Sequence, residues 1–302
     1  MKNKMFGIAS ITLIVAGAFF AGSANATLTG VSCSTSDVKV TSIAQYSDTT
    51  SSATLSPAVP VSPISSAACA GAYVGNDGFY PDANLGYAGD GLLNGGVQNG
   101  TNQVLFPNPP GAFITPTYSL NDLDHDGQVD DPGWIMLGKY ELVNGKWVFS
   151  PKAVGGDTSI VLSSFFSVSF TSGTYAGNWA FTPDATVAQR AESILGKNYF
   201  DQFALVFKAG SEFAAYDFTA EQFGVPHPSA DDPIYNFYGT FNTGNTLIND
   251  NGKASNPAGL SHISIWARDP GLTPNNVPEP GSLALLGVAM FGVAFARRRS
   301  AR

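Results

Sequence analysis

Twelve consecutive residues, Asp122-Leu123-Asp124-His125-Asp126-Gly127-Gln128-Val129-Asp130-Asp131-Pro132-Gly133, hold the densest chemistry in the chain. Carboxylates at positions 1, 3 and 5 of a loop turn inward together, and glycine at position 6 permits the sharp turn between them. The Gln128 carbonyl at position 7 and Asp130 at position 9 then complete a cage of hard oxygens. Such a cage suits Ca²⁺ over softer metals. The residues predicted to serve it are Asp122, Asp124, Asp126, Gln128, Asp130 and Asp131. Position 12 is Gly133 and offers no carboxylate, so Asp131 at position 10 is the partial substitute. The expected role is structural: the ion pins the loop that enters a strand starting at Trp134 and neutralises five carboxylates. The competing reading is an acidic, solvated turn that holds no ion.

The first nine positions of this segment resemble an EF-hand or dockerin-type loop. The resemblance stops at Gly133, and a strand follows where a helix pair would flank such a loop.

The remaining reactive side chains are sparse. Cys33 and Cys69 are the two cysteines, and in an exported chain they are expected to pair. That bond closes a 37-residue loop, and loop closure alone contributes about 4 kcal/mol. Two cysteines without a neighbouring histidine make a poor zinc set, and nothing nearby activates either thiol. Three histidines are present. His125 lies in the acidic loop and His227 between Pro226 and Pro228. His262 sits in an apolar strand pattern, where it is expected to pack as a polar residue. The chain has no Gly-x-Ser-x-Gly elbow, no Gly-rich phosphate loop and no His-Glu-x-x-His pair. With no assembled site in view, the expectation is a protein that is not an enzyme. Two alternatives stay open. One is a calcium-dependent carbohydrate-binding module using Tyr73, Phe79, Tyr80, Tyr87, Trp147 and Trp179 as a platform, although these rings also suit a core. The other is a secreted hydrolase.

The elements that position these groups read as mainly β. Charged residues are 13% of the chain, apolar residues 44% and aromatic residues 12%, with 33 glycines and 19 prolines. That balance excludes a helical bundle and a disordered chain. Strand patterns run over 134–143, 146–149, 159–170, 203–208, 211–218, 235–241 and 260–268. Asn144-Gly145 joins the first two as a type I′ hairpin. Residues 47–68, rich in Ser, Thr, Ala and Pro, read as an extended surface loop, and the glycine-rich stretch 75–96 as loops over the sheet. One helix is predicted, capped at Thr182, with Val187, Ala191, Ile194 and Leu195 on one face and Gly196 at its end. The predicted fold is an antiparallel β-sandwich, jelly-roll-like, with one or two short helices. A signal helix and a C-terminal hydrophobic helix flank it.

Both ends read as addresses. A basic start, an apolar run from Ile8 to Ala21 and the small residues up to Ala26 form a secretory signal, with cleavage by signal peptidase expected after Ala26. At the other end, Val277-Pro278-Glu279-Pro280 precedes the hydrophobic run Leu283 to Ala296 and then Arg297-Arg298-Arg299. This tripartite tail resembles the PEP-CTERM sorting signal, also labelled an ice-binding protein C-terminal domain, a label that implies no ice activity by itself. The resemblance implies an exosortase-type transpeptidase as partner, cutting near Pro278-Glu279-Pro280. It also implies an inner-membrane intermediate with the arginines on the cytoplasmic side, and a destination at the cell surface or in an exopolysaccharide biofilm matrix.

The expected organisation is therefore a signal peptide over 1–26, a disulfide-tied segment over 27–72 and a sandwich body over 73–269. A linker over 270–276 and the sorting signal with its transmembrane segment over 277–302 complete it. Residues 27–276 keep 9 basic and 22 acidic side chains, a net charge of −13. That charge argues against nucleic acid and favours divalent cations.

Overall fold

The computed structural model describes residues 32–80, 84–99, 103–106, 111–114, 133–152, 165–187, 189–190, 199–225, 232, 234–250 and 255–268. Fifteen strands are described: β1 Val38–Gln45, β2 Val59–Ser65, β3 Ala68–Val74, β4 Phe79–Tyr80, β5 Val97–Gln98, β6 Trp134–Val143, β7 Lys146–Pro151, β8 Phe166–Ser172, β9 Ala176–Phe181, β10 Gln202–Ala209, β11 Glu212–Thr219, β12 Tyr235–Asn242, β13 Ile248–Asp250, β14 Ser255–Pro257 and β15 Leu260–Arg268. Eleven of them form two antiparallel sheets. One has the order β2-β1-β12-β9-β8, the other β3-β11-β10-β15-β6-β7. This is the mainly β, two-sheet sandwich that the composition and strand pattern predict.

The two sheets face each other across a core in which period-two alternation is visible strand by strand. Val38 and Val40 of β1, Trp179 and Phe181 of β9, and Phe237 and Phe241 of β12 line one side. Leu205 and Phe207 of β10, Tyr216 and Phe218 of β11, and Ile263 and Ile265 of β15 line the other. The rings meet edge-on or offset, as Phe203 does with Phe218 at 4.8 Å and Phe207 with Phe241 at 5.2 Å.

The alternate residues of the six-stranded sheet are buried as well. Ala204, Val206, Phe213, Ala215, Trp134, Met136 and Trp266 form a second core with Phe79, Leu92, Leu93, Ala112 and Ile114. The glycine-rich stretch therefore covers the outer face of this sheet, carrying its own apolar residues with it. This explains why β10 and β11 read as continuous apolar runs instead of alternating ones.

Turn chemistry follows the sequence where it was strongest. Asn144 and Gly145 have φ of 51° and 77°, the two positive values of a type I′ hairpin joining β6 to β7. Elsewhere the structure corrects the reading. Residues 59–65, expected as surface loop, form the edge strand β2, an edge position that tolerates Pro60 and Pro63, which bring no backbone N–H to a ladder. The predicted helix cap shifts from Thr182 to Asp184, whose Oδ1 accepts from the Thr186 N–H at 2.9 Å, while the Thr182 hydroxyl donates to the Phe165 carbonyl. Helical residues begin at Val187, and residues 191–196 of that prediction lie outside the described residues. Among the described residues no helix is long and apolar enough to cross a membrane.

Candidate functional site

Most predicted site residues fall outside the described residues. These are Asp122, Asp124, Asp126, Gln128, Asp130 and Asp131 of the acidic loop, with His125. They are also Ala26, Val277, Pro278, Glu279, Pro280, Arg297, Arg298 and Arg299 of the two addresses, and His227. The structure does show what borders the acidic loop. Its approach leaves from Ile114, buried in the second core, and its exit enters at Gly133-Trp134, both buried.

Three side chains pin that exit. Asn94 is a bridge: its amide donates to the Trp134 carbonyl at 2.7 Å and to the Asp90 carbonyl at 2.6 Å, and its oxygen accepts from the Trp134 N–H at 2.6 Å. Asn84 clasps Met136 in the same two-way fashion, at 2.9 and 2.8 Å. The Asp90 carboxylate accepts from the backbone N–H groups of Asn84 and Gly86, each at 3.0 Å. All three residues are buried, so each bond replaces one that water would otherwise make.

Gly133 explains the departure at position 12. A Cβ on it would lie 1.5 Å from the Gly86 carbonyl oxygen and 2.8 Å from the Asn94 Oδ1. No glutamate fits there. An ion in this loop must be held by the earlier positions alone.

The predicted disulfide is present, with Cys33 and Cys69 bonded at 2.05 Å and their Cα atoms 6.1 Å apart. Its neighbour Asp37 reinforces the same corner. The Asp37 Oδ2 accepts from the Tyr216 hydroxyl at 3.0 Å and the Thr246 hydroxyl at 2.6 Å. Burial, together with the Asp37 charge, pushes the Tyr216 phenol well above its ordinary range.

A polar cleft of about 350 Å³ opens where the glycine-rich cover stops short of β6 and β7. At its edge Asp77 is buried, and its Oδ2 meets the His262 Nε2 at 2.6 Å. Burial alone would raise the Asp77 pKa. The His262 hydrogen bond and the charges of His262, Lys139 and Lys208 outweigh it and hold the carboxyl below its ordinary value. Lys208, buried in β10, donates to the Gly210 carbonyl, and its burial lowers its pKa against the pull of Asp77 and Glu212. His262 is thus a packed polar residue as expected, but it belongs to a charged group that spacing alone did not reveal.

The Ser261 hydroxyl lies 3.4 Å from the His262 Nδ1, at the outer limit of a hydrogen bond, and it also donates to the Lys208 carbonyl at 3.2 Å. A nucleophile needs a closer base and an oxyanion site, and neither is drawn by these contacts. Among the described residues no cluster of three His, Cys, Asp or Glu side chains could hold a metal. A smaller cavity of about 110 Å³ at one end of the sandwich is walled largely by phenylalanines, including Phe165, Phe181, Phe203, Phe223 and Phe237.

Four of the six rings expected in an aromatic platform pack against other rings or into a core. Trp179 and Phe79 are buried in the two different cores. Trp147 stacks on Tyr140 at 5.5 Å, and Tyr73 packs on Phe106 and Phe213.

Where the sandwich ends, Arg268 and Asp201 form a buried pair, with the Arg268 Nε donating to the Asp201 Oδ1 at 2.8 Å and Nη2 to Oδ2. Asp217, on β11 beside them, is also buried and its Oδ1 has no hydrogen-bond partner. Burial pushes the Asp217 carboxyl up to about 8, with Asp201 adding to the rise and Arg268 and the Phe218 N–H opposing it.

Eight residues beyond Arg268 the address begins. Residues 276–299 match the PEP-CTERM protein-sorting motif. No curated protein and no solved structure matches the chain. The chain carries a PEP-CTERM sorting signal on a β-sandwich body, and that signal marks an exported protein processed by an exosortase-type enzyme at the cell surface.

Proposed function

We propose that this chain is a non-enzymatic exported protein. Signal peptidase releases it after Ala26, and an inner-membrane intermediate is held by the C-terminal hydrophobic run. The exosortase-type enzyme cuts near Pro278-Glu279-Pro280, and the body stays at the surface or enters an exopolysaccharide matrix. The observation that carries this reading is the sorting motif at residues 276–299, which follows the last described strand of a disulfide-tied sandwich. The test is intact mass and fractionation of the protein from its native host. The expected product starts at Thr27, lacks the tail and retains the disulfide. A product that keeps Pro-Glu-Pro and the arginines, in a cell with a working exosortase, overturns the reading.

Calcium is part of the proposal, bound by Asp122, Asp124, Asp126, the Gln128 carbonyl and Asp130, with Asp131 supporting. Support comes from the spacing and from the built anchor at Asn94 and Trp134, which a bound ion would extend. Calcium should raise the melting temperature, and Asp124→Ala should abolish the rise. An unchanged melting temperature up to several millimolar calcium removes the ion from the proposal.

A second reading, a carbohydrate-binding module, is favoured by the polar cleft beside Asp77. Calcium-dependent retention on the producer's own polysaccharide separates it from a passive matrix component.

A further inference from the structure

The register of four adjacent strands sets out the floor of the cleft and the surface beside it. Lys208 of β10 lies opposite His262 of β15, which lies opposite Glu141 of β6. In the next row Ser264 of β15 lies opposite Lys139 of β6, which lies opposite Ser150 of β7. In the row after that, Trp266 lies opposite Met136. Residues directly opposite share a face, so two polar rows adjoin one apolar row on a single surface. The loop residue Asp77 closes one side, and Phe79 and Gly91 stand over the apolar row.

This pattern selects its ligand class. The charged groups lining the cleft are Asp77, Asp90 and Glu141 with Lys139 and Lys152, and Asp90 is already held by backbone N–H groups, so neither sign dominates what a ligand meets. A phosphate needs an excess of donors, and a metal ion needs carboxylates without the lysines between them. An apolar ligand would leave Lys139 and Glu141 desolvated without partners. A neutral polyol fits, because every hydroxyl both donates and accepts. Serine hydroxyls lie within the same rows. The Trp266 Nε1 donates to the Ser264 Oγ at 3.0 Å, which leaves the Ser264 proton to point elsewhere. Asp77 lines the cleft with an Oδ1 that has no hydrogen-bond partner, although the side chain is 2% exposed. Trp266 and Phe79 supply the apolar border that the C–H face of a sugar ring needs. The volume of about 350 Å³ lies in the range of small-ligand sites, roughly 300–1,000 Å³.

We propose that this cleft binds a neutral saccharide unit, with Glu141 and Lys139 bonding its hydroxyls and Asp77, held by His262, as a buried acceptor. The inference rests on the carbohydrate-binding reading and is independent of export, because it is measured on purified protein whatever its address.

The test is calorimetric titration of the purified full chain, with and without calcium, against four probes. They are neutral hexose oligosaccharides, the producer's own polysaccharide, a uronate oligosaccharide and inorganic phosphate. Saturable binding of a neutral oligosaccharide or the native polysaccharide is expected. Glu141→Gln and Lys139→Met are each expected to weaken it about tenfold or more, the loss of one charge-assisted hydrogen bond. Both side chains are half-buried on the sheet surface, and matched melting curves check that the variants fold. Phosphate or uronate bound in preference overturns the assignment of a neutral ligand. Binding that survives both substitutions moves the site elsewhere. Absence of binding to every probe at ten millimolar overturns the proposal, whereas a mass that retains the tail overturns only the export reading.

Discussion

Replacing Asp217 by asparagine should change the pH dependence of stability in a defined direction. Asp217 lies opposite Ala204 of β10 and Ala68 of β3, at a position that is 2% exposed. The charged groups that face it are Arg268, already committed to Asp201, and Asp201 itself. Its carboxyl is therefore neutral in the fold up to about pH 8, while in the unfolded chain it ionises near 3.8. Between those values the folded state holds a proton that the unfolded state has released. Stability then falls as pH rises, by at most about 1.4 kcal/mol per unit, and the loss is complete above about 8. The ceiling across the window is on the order of 5 kcal/mol. Asparagine keeps the shape and removes the titration. Asp217→Asn and the parent should have nearly equal stability at pH 4. The variant should be progressively more stable towards pH 8, with a constant difference above that. Denaturant midpoints and melting temperatures at one-unit steps from pH 4 to 9 read this out. Parallel curves for the two proteins would refute the argument, since they would mean that Asp217 ionises alike in both states.

Other substitutions test the packing directly. Asn94→Ala removes three buried hydrogen bonds around Trp134 and should cost about 3 kcal/mol or more in a denaturation experiment. Cys33→Ser with Cys69→Ser should lower stability by about 4 kcal/mol, and a reductant should reproduce the loss in the parent and do nothing further to the variant. Gly133→Ala drives a methyl group into the Gly86 carbonyl and should leave little folded protein, whereas Gly145→Ala, with nothing within 4 Å of its Cβ, should be limited to the strain of a positive φ and remain folded by circular dichroism.

Strand positions were legible where apolar patterning and turn residues agreed. β6, the Asn144-Gly145 turn and β15 carry their bounds in the sequence, because a β-branched or aromatic run ends at residues that only a turn favours. β1, β2, β3 and β9 were harder, since Val38–Gln45 and Ala68–Val74 mix small and polar residues whose burial comes from partners far along the chain. The disulfide was readable from cysteine count and compartment. The second core was not, because Leu92, Leu93 and Ile114 are isolated apolar residues among glycines and acquire meaning only against the outer face of the sheet. The same holds for Asp77 and His262, which are 185 residues apart and have no local spacing to connect them. The acidic loop shows the opposite case. Its composition is plain in the sequence, yet the reason for glycine at its twelfth position is the carbonyl of Gly86, nearly fifty residues upstream.

The order of strands constrains the timing of export. β15 is the last of the described strands but lies between β10 and β6, in the interior of its sheet. Until it arrives, β10 and β6 each present an unfilled edge, and the sandwich cannot close. On the export route proposed above, with the N-terminus leading, the body stays incomplete until residue 268 has emerged. Only nine residues lie between Arg268 and Pro278, a tether of at most about 36 Å. On the proposed route, the sorting signal therefore follows within a short tether of the strand that completes the sheet.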